Sequence, residues 1–512
     1  MSSSNQLAEP ACRTSPSKGL PKLAIHGLTP SGRPYPKGPS IPQFPSVTLK
    51  TQYQTYLIGA IGMAIAVPLQ SLVYSKYLAT DIYANFVVIS AIISSLSLAI
   101  GQFLQQTIIR YCPSGDQSEQ RKNLLKTIFC LWSLIASAAF LCGLIFGAAS
   151  DTYPITHTIL LSTWLSAGIG ALAFGAVLQV DGSVLRLVVS RSLIPLVTAL
   201  VVFLAAKVSH VGRLQLISAA AAAQSLSLII IWFKVYKEFA PGRGTLVALP
   251  AVWSYGSKMF VWFLFWSMLG AVDKYVLIVF EKTEDVAAAG LYGLIANGFC
   301  GLTITPLTTV LQNRAFRLAN TGRSEESIQL MSRAVRVLVT ILITIVVLVT
   351  SIGAPGLGLI LSDSVAVSPE LLGLFIAGAI LLQVCTYFHK PLEINERMWA
   401  MVSSAAITVV VCGSISLASA ELFGVCATSF SLCLSCLCYI GIVNTLVRHK
   451  GKLKNQPSVK LSLDGIVALP AIILVSVNHA GILSGLTITA AAAVFSIVAA
   501  YRIYRESDKI FQ

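Results

Sequence analysis

The chain has 512 residues, 55% of them hydrophobic and only 11% charged, with a mean hydropathy of +0.78, where a soluble domain carries about 25% charged residues. That composition excludes a soluble globular protein and describes a membrane protein. The net charge of +15 comes from basic residues scattered along the chain with no recognised binding motif, which excludes a nucleic-acid partner.

Residues 1–50 hold nine of the 21 prolines, with many Ser, Gly and basic residues. Such a segment cannot bury enough apolar surface to order itself, so a disordered basic cytoplasmic tail is expected. It lacks the continuous apolar core of a cleavable signal peptide. A helix needs about 20 apolar residues to cross about 30 Å of hydrocarbon. Fourteen such runs follow: 54–75, 83–109, 124–148, 155–179, 184–206, 214–236, 252–280, 286–312, 334–361, 369–388, 398–419, 422–446, 463–478 and 482–501. The fold expected is all-α and polytopic, with about 14 transmembrane helices.

Charge tests that count, because Lys and Arg favour cytoplasmic loops. With the N-terminus inside, 31 of the 36 basic residues fall on cytoplasmic segments. These include Arg186 and Arg191 after the fourth run and Lys390 and Arg397 after the tenth. Only Lys76, Lys207, Arg213 and Lys282 lie outside, and Lys274 lies within a span. One missed or invented helix would reverse every later loop, so both termini are expected in the cytoplasm.

The outside connections are short, the longest being Ser362 to Pro369, and leave no room for an outer catalytic domain. No GxxxxGK[ST] loop and no HExxH occurs, so neither ATP hydrolysis nor zinc proteolysis is expected. The chain reads as a non-enzyme without cofactors. Eleven cysteines, none in an outside loop, indicate no disulfide framework. Cys433, Cys436 and Cys438 have no nearby His or carboxylate in sequence and read as packing residues.

The halves resemble each other. After the first run comes YSKYLATDIYANF, then a helix with Gly101, Arg110 and a polar loop; after the seventh comes VDKYVLIVFEKTEDVAAAGLYGLI, then a helix with Gly301, Arg314, Arg317 and a polar loop. Six spans separate the copies, an even number, so the repeats are parallel. Two six-helix lobes are expected, residues 51–240 and 250–447, facing each other across a cleft. Residues 460–504 would form an appended helix pair.

The segment from Lys76 to Lys122 resembles the second helix of bacterial polysaccharide-biosynthesis flippases, through Tyr77-Leu78, Asp81-Ile82-Tyr83, Gly101 and Arg110-Tyr111. Asp273-Lys274-Tyr275 and Gly290-Leu291-Tyr292 resemble the family's seventh-helix signature. The family belongs to the multidrug/oligosaccharidyl-lipid/polysaccharide exporter superfamily. The resemblance implies a flippase of the bacterial inner membrane that carries polyprenyl-pyrophosphate-linked oligosaccharide for surface polysaccharide assembly. Membrane lipid, a polysaccharide polymerase and glycosyltransferases would be its partners. A cation-coupled multidrug exporter of the same superfamily and a non-transporting scaffold for glycan assembly are the alternatives. One departure is that related lipid II flippases place several arginines in the first two helices, and this chain has none in the interior of either.

Asp273 and Lys274 interrupt a long apolar run. As neighbours on a helix they point about 100° apart, so each is expected to need its own partner. Asp273 would face the cleft as a coupling group and Lys274 would serve an anionic substrate; a snorkelling Lys274 and a structurally paired Asp273 form the alternative. Arg110 and Arg314 close corresponding helices and suit bidentate phosphate contacts, or anchor the cytoplasmic face. Gln102 and Gln106 share a helical face. With Gln70, Gln105 and Asn297 they suit sugar hydroxyls, which both donate and accept, or bonds between helices. Pro68 and Pro306 remove backbone hydrogen bonds and are candidate hinges. Trp253, Trp262 and Trp266 read as interface anchors or sugar-stacking rings.

Overall fold

The computed structural model describes residues 49–112, 119–149, 154–181, 183–208, 210–239, 249–348, 368–395 and 397–449. All regular structure among them is helical. The expected tail up to residue 48, the end of the ninth run, and the runs at 463–478 and 482–501 lie outside the described residues.

The first half comprises α1 (Leu49–Tyr77), α2 (Thr80–Tyr111), α3 (Glu119–Ala149), α4 (Ile155–Val180), α5 (Val184–Val208) and α6 (Arg213–Val235), with a 3-10 turn at Tyr236–Phe239. The second comprises α7 (Leu249–Leu269), α8 (Val272–Val279), α9 (Thr283–Thr303), α10 (Thr305–Asn320), α11 (Ser324–Leu348), α12 (Pro369–Phe388), α13 (Lys390–Ile394) and α14 (Met398–His449). Seven of these helices are long and apolar enough to cross a membrane, eight if the bent pair α7–α8 is taken as one. The chain is a multi-pass membrane protein.

Local chemistry sets the ends. α2 stops at Cys112, which is extended because Pro113 follows and disfavours the helical region for the residue before it. α12 begins at a Ser368 cap whose hydroxyl accepts from the Leu371 N–H at 3.2 Å, with Pro369 in the first turn. α1 runs through Pro68 as one helix, so no break marks that candidate hinge. The eighth run instead divides into α9 and α10 at Ile304, two residues before Pro306, where a backbone N–H is missing. The seventh run bends by 54° between α7 and α8, at Gly270 and Ala271.

Lipid supplies no hydrophobic drive for helix association, so close packing of small residues must do the work. α4 buries Ser166, Ala167, Gly168, Gly170, Ala171, Ala173 and Ala176, and sits between α2 and α6. In the second half α9 packs on α12 as α2 packs on α4, and α11 on α12 as α3 on α4. The halves meet where α2 packs on α7 and α9, and α1 on α9. At Gly256 of α7 a Cβ would overlap the Phe103 ring of α2, so glycine permits that approach. On the first half, Arg121 of α3 holds both oxygens of Asp181 at 2.9 Å and Glu238 at 2.6 Å, tying together the ends of α3, α4 and α6.

Gly424 divides α14 with φ +54° and ψ −134°. The Asp285 carboxylate of α9 packs against it and accepts from the Val425 N–H, while Lys282 Nζ donates to the Glu421 carbonyl at 2.7 Å. A side chain at Gly424 would meet both a forbidden backbone region and Asp285. Gly424→Ala is therefore expected to cost about 2 kcal/mol or more, measured as a lower thermal midpoint of the purified protein in detergent; an unchanged midpoint would contradict the packing.

Candidate functional site

Between the halves lies a cavity of about 730 Å³, lined from both sides. The first half contributes Gln70, Gln102, Gln105, Gln106, Trp164, Gln179 and Arg191; the second contributes Trp262, Trp266, Lys274, Asn297, Gln312, Gln383, His389 and Lys390. Among the described residues its lining holds three cations, Arg191, Lys274 and Lys390, and no carboxylate.

The amides are organised by one another. Gln312 Nε2 of α10 donates to Gln106 Oε1 of α2 at 2.8 Å, and Gln106 Nε2 donates to Gln102 Oε1 at 3.1 Å, a chain that crosses from one half to the other. Gln105 Nε2 donates to Gln179 Oε1 at 3.3 Å, and the buried Gln105 Oε1 has no hydrogen-bond partner among the described residues. Gln70 Nε2 donates to the Tyr74 hydroxyl at 2.8 Å. The shared face of Gln102 and Gln106 thus lies on the cavity wall, and Asn297 lines it from an exposed position on α9.

The charged pair of the seventh run departs from expectation. Asp273 and Lys274 do bond directly: Lys274 Nζ lies 2.9 and 2.7 Å from the two carboxylate oxygens. The pair forms at the start of α8, just past the bend, where the long lysine side chain folds back over its neighbour. Adjacency fixes where two Cβ atoms point, but not where a flexible ammonium ends. Lys274 lines the cavity; Asp273 is buried and does not.

Arg110 and Arg314 are also off the lining. Arg110 Nη1 donates to the Glu393 carbonyl at 3.3 Å, and its guanidinium stacks 4.6 Å from the Tyr255 ring. Tyr111 meets Tyr255 edge-on at 5.6 Å. At this end of the cavity α2 is therefore fastened to α7 and α13. Arg314 on α10 lies near Glu326 of α11. Trp253 is exposed and away from the cavity, whereas Trp262 and Trp266 stack at 5.0 Å in its wall. Trp262 Nε1 donates to the Tyr439 hydroxyl at 3.3 Å, which also meets His389 Nδ1 at 3.1 Å.

Two cavity cations were missed by sequence reasoning, which placed Arg191 and Lys390 on cytoplasmic segments. Arg191 stands inside the apolar run 184–206, seven residues into α5, and that depth was the available signal. Lys390 carried none: α12 ends at Phe388 and the short α13 turns Lys390 inward, with its ammonium 4.9 Å from the Phe316 ring and 2.6 Å from Glu393 Oε2.

No family model matches the chain, and no curated protein matches it in sequence. Solved structures do match in fold. The structure described as lipid II flippase MurJ in an inward closed conformation aligns with TM-score 0.60 and 12% identity, covering 88% of this chain and 99% of that one. The MATE multidrug transporter DinF-BH aligns with TM-score 0.59 and 15% identity, covering 81% and 97%. An outward-facing multidrug resistance MATE family transporter of the MOP superfamily gives 0.50 and 13%, covering 83% and 97%. At such identities the likeness is one of fold.

Arg110→Ala removes the bond to the Glu393 carbonyl and the cation–π contact with Tyr255 that link the halves. Backbone hydrogen exchange over residues 105–112 and 252–258 is expected to quicken about tenfold, the equivalent of about 1.5 kcal/mol. Unchanged exchange would mean that Arg110 does not hold the two ends together.

Proposed function

We propose that the chain is a flippase that moves a lipid-linked, anionic oligosaccharide, of the polyprenyl-pyrophosphate kind, across a bacterial inner membrane by alternating access. The observation that carries this reading is the lining itself, with three cations, many amides and, among the described residues, no carboxylate. A glycan's hydroxyls cannot cross hydrocarbon without partners. Glutamine amides both donate and accept, and Gln105 Oε1 is an acceptor that a sugar hydroxyl would satisfy. Arg191 from the first half and Lys274 and Lys390 from the second line the same cavity, and each suits phosphate oxygens. The lipid tail would stay in the bilayer. The likeness to a lipid II flippase fold supports this reading.

In the same proposal fourteen helices form two six-helix lobes and an appended pair, with both termini in the cytoplasm. The Arg110 end is then the cytoplasmic gate, and the breaks at Gly270 and before Pro306 are the flexible points. Asp273 acts through Lys274, not as an exposed coupling group. Surface polysaccharide assembly is the setting, with glycosyltransferases and a polymerase supplying and consuming the glycan.

A multidrug exporter is the second reading. It is favoured by the likeness to MATE transporters and by Trp164, Trp262 and Trp266 in the lining. An exporter of cationic drugs would need negative charge in the cavity, which the described lining lacks. Measuring lipid-linked glycan on each leaflet of vesicles with and without the protein separates the readings. Arg191→Gln and Lys390→Gln are each expected to slow glycan flipping about tenfold, the worth of one charge-assisted contact. Full flipping by the double variant, or no flipping by the parent protein, would remove the proposal.

A further inference from the structure

Both cavity lysines have a carboxylate behind them. Lys274 Nζ is held by the two oxygens of Asp273 at 2.9 and 2.7 Å, and Lys390 Nζ by Glu393 Oε2 at 2.6 Å. The lysines line the cavity; neither carboxylate does. Glu393 has 0% of its side chain exposed and Asp273 9%. The pairs are built in different ways, one from adjacent residues past a helix bend and one from residues three apart on α13. The same arrangement has thus been reached twice.

An ammonium held away from bulk water without a counter-charge is costly, so the two largely buried lysines need compensation within the protein. The carboxylates supply it, but each also occupies ammonium donors and cancels charge that would otherwise attract a phosphate. A transporter must release what it binds, and tight binding to both faces would halt it. We propose that Asp273 and Glu393 are internal counter-ions that compete with the substrate's anionic group for Lys274 and Lys390, holding affinity low enough for release. The inference rests on the reading of the substrate as a lipid-linked anion. It makes the two carboxylates positioning residues that act through the lysines.

The surroundings of Glu393 allow a clean test. Its Oε1 accepts from the Tyr255 hydroxyl at 2.7 Å, and Arg110 uses its backbone carbonyl. Glu393→Gln keeps the shape, one side-chain acceptor for Tyr255 and the backbone carbonyl for Arg110, and removes the charge together with the acceptor facing Lys390. Asp273→Asn removes the charge and one of the two acceptors facing Lys274.

The experiment titrates inorganic pyrophosphate into the full chain in lipid nanodiscs and follows tryptophan fluorescence, since Trp164, Trp262 and Trp266 line the cavity. Glu393→Gln is expected to bind about tenfold tighter, the worth of one charge-assisted bond no longer in competition. Lys390→Gln should bind more weakly, and adding Glu393→Gln to it should give no gain. In glycan flipping, Glu393→Gln should lower KM and kcat together, a joint change that a merely structural role would not produce. Should Glu393→Gln not fold, Asp273→Asn with Lys274→Gln reads the same competition. Folded Glu393→Gln and Asp273→Asn proteins that bind pyrophosphate no better than the parent would overturn the proposal, as would a parent that does not bind it. Tightened pyrophosphate binding without any glycan flipping would sink the transport reading and leave the counter-ion role standing.

Discussion

A polar group surrounded by hydrocarbon must find its partner within the protein, and this structure follows from that constraint. Backbone groups meet it by forming helices. Side chains meet it in pairs: Lys274 with Asp273, Lys390 with Glu393, Arg110 with the Glu393 carbonyl and the Tyr255 ring, and the glutamines with one another. The second donors of the lysines and the free acceptor of Gln105 belong to residues that line the cavity.

The two halves share a packing plan but are not equivalent. In the first half the helices that meet the cavity run unbroken, α1 even through Pro68. In the second, breaks at Gly270–Ala271, at Ile304 and at His389 divide the corresponding spans. Two of these breaks stand beside the lysines of the cavity, Lys274 and Lys390, and the short α13 carries both Lys390 and the carbonyl gripped by Arg110. One five-residue helix thus belongs at once to the wall of the cavity and to the fastening between the halves.

The helical, multi-pass fold was legible because a run of about 20 apolar residues has one stable form in lipid. The amide face of α2 was legible too, since Gln102 and Gln106 are one helical turn apart in a long apolar run. What could not be read was the reach of long side chains. Spacing implied that Asp273 and Lys274 diverge, yet four methylenes bring the ammonium back to its neighbour. Charge statistics assigned Arg191 and Lys390 to loops because they lie near span ends, and only the packed structure shows that those ends open onto the cavity. Arg110 was recognised as notable, but its hold on Tyr255 and Glu393 joins segments far apart in sequence and has no local signature.

The proposal turns on whether the space between the halves holds an anionic, sugar-bearing headgroup on its lining cations, Arg191, Lys274 and Lys390. A cryo-EM structure of the chain in nanodiscs with a polyprenyl-pyrophosphate glycan tests it most directly. The account predicts phosphate density within hydrogen-bonding distance of at least one cation from each half, with sugar density along the glutamines. Phosphate density elsewhere, or acyl chains filling the cavity, would contradict it.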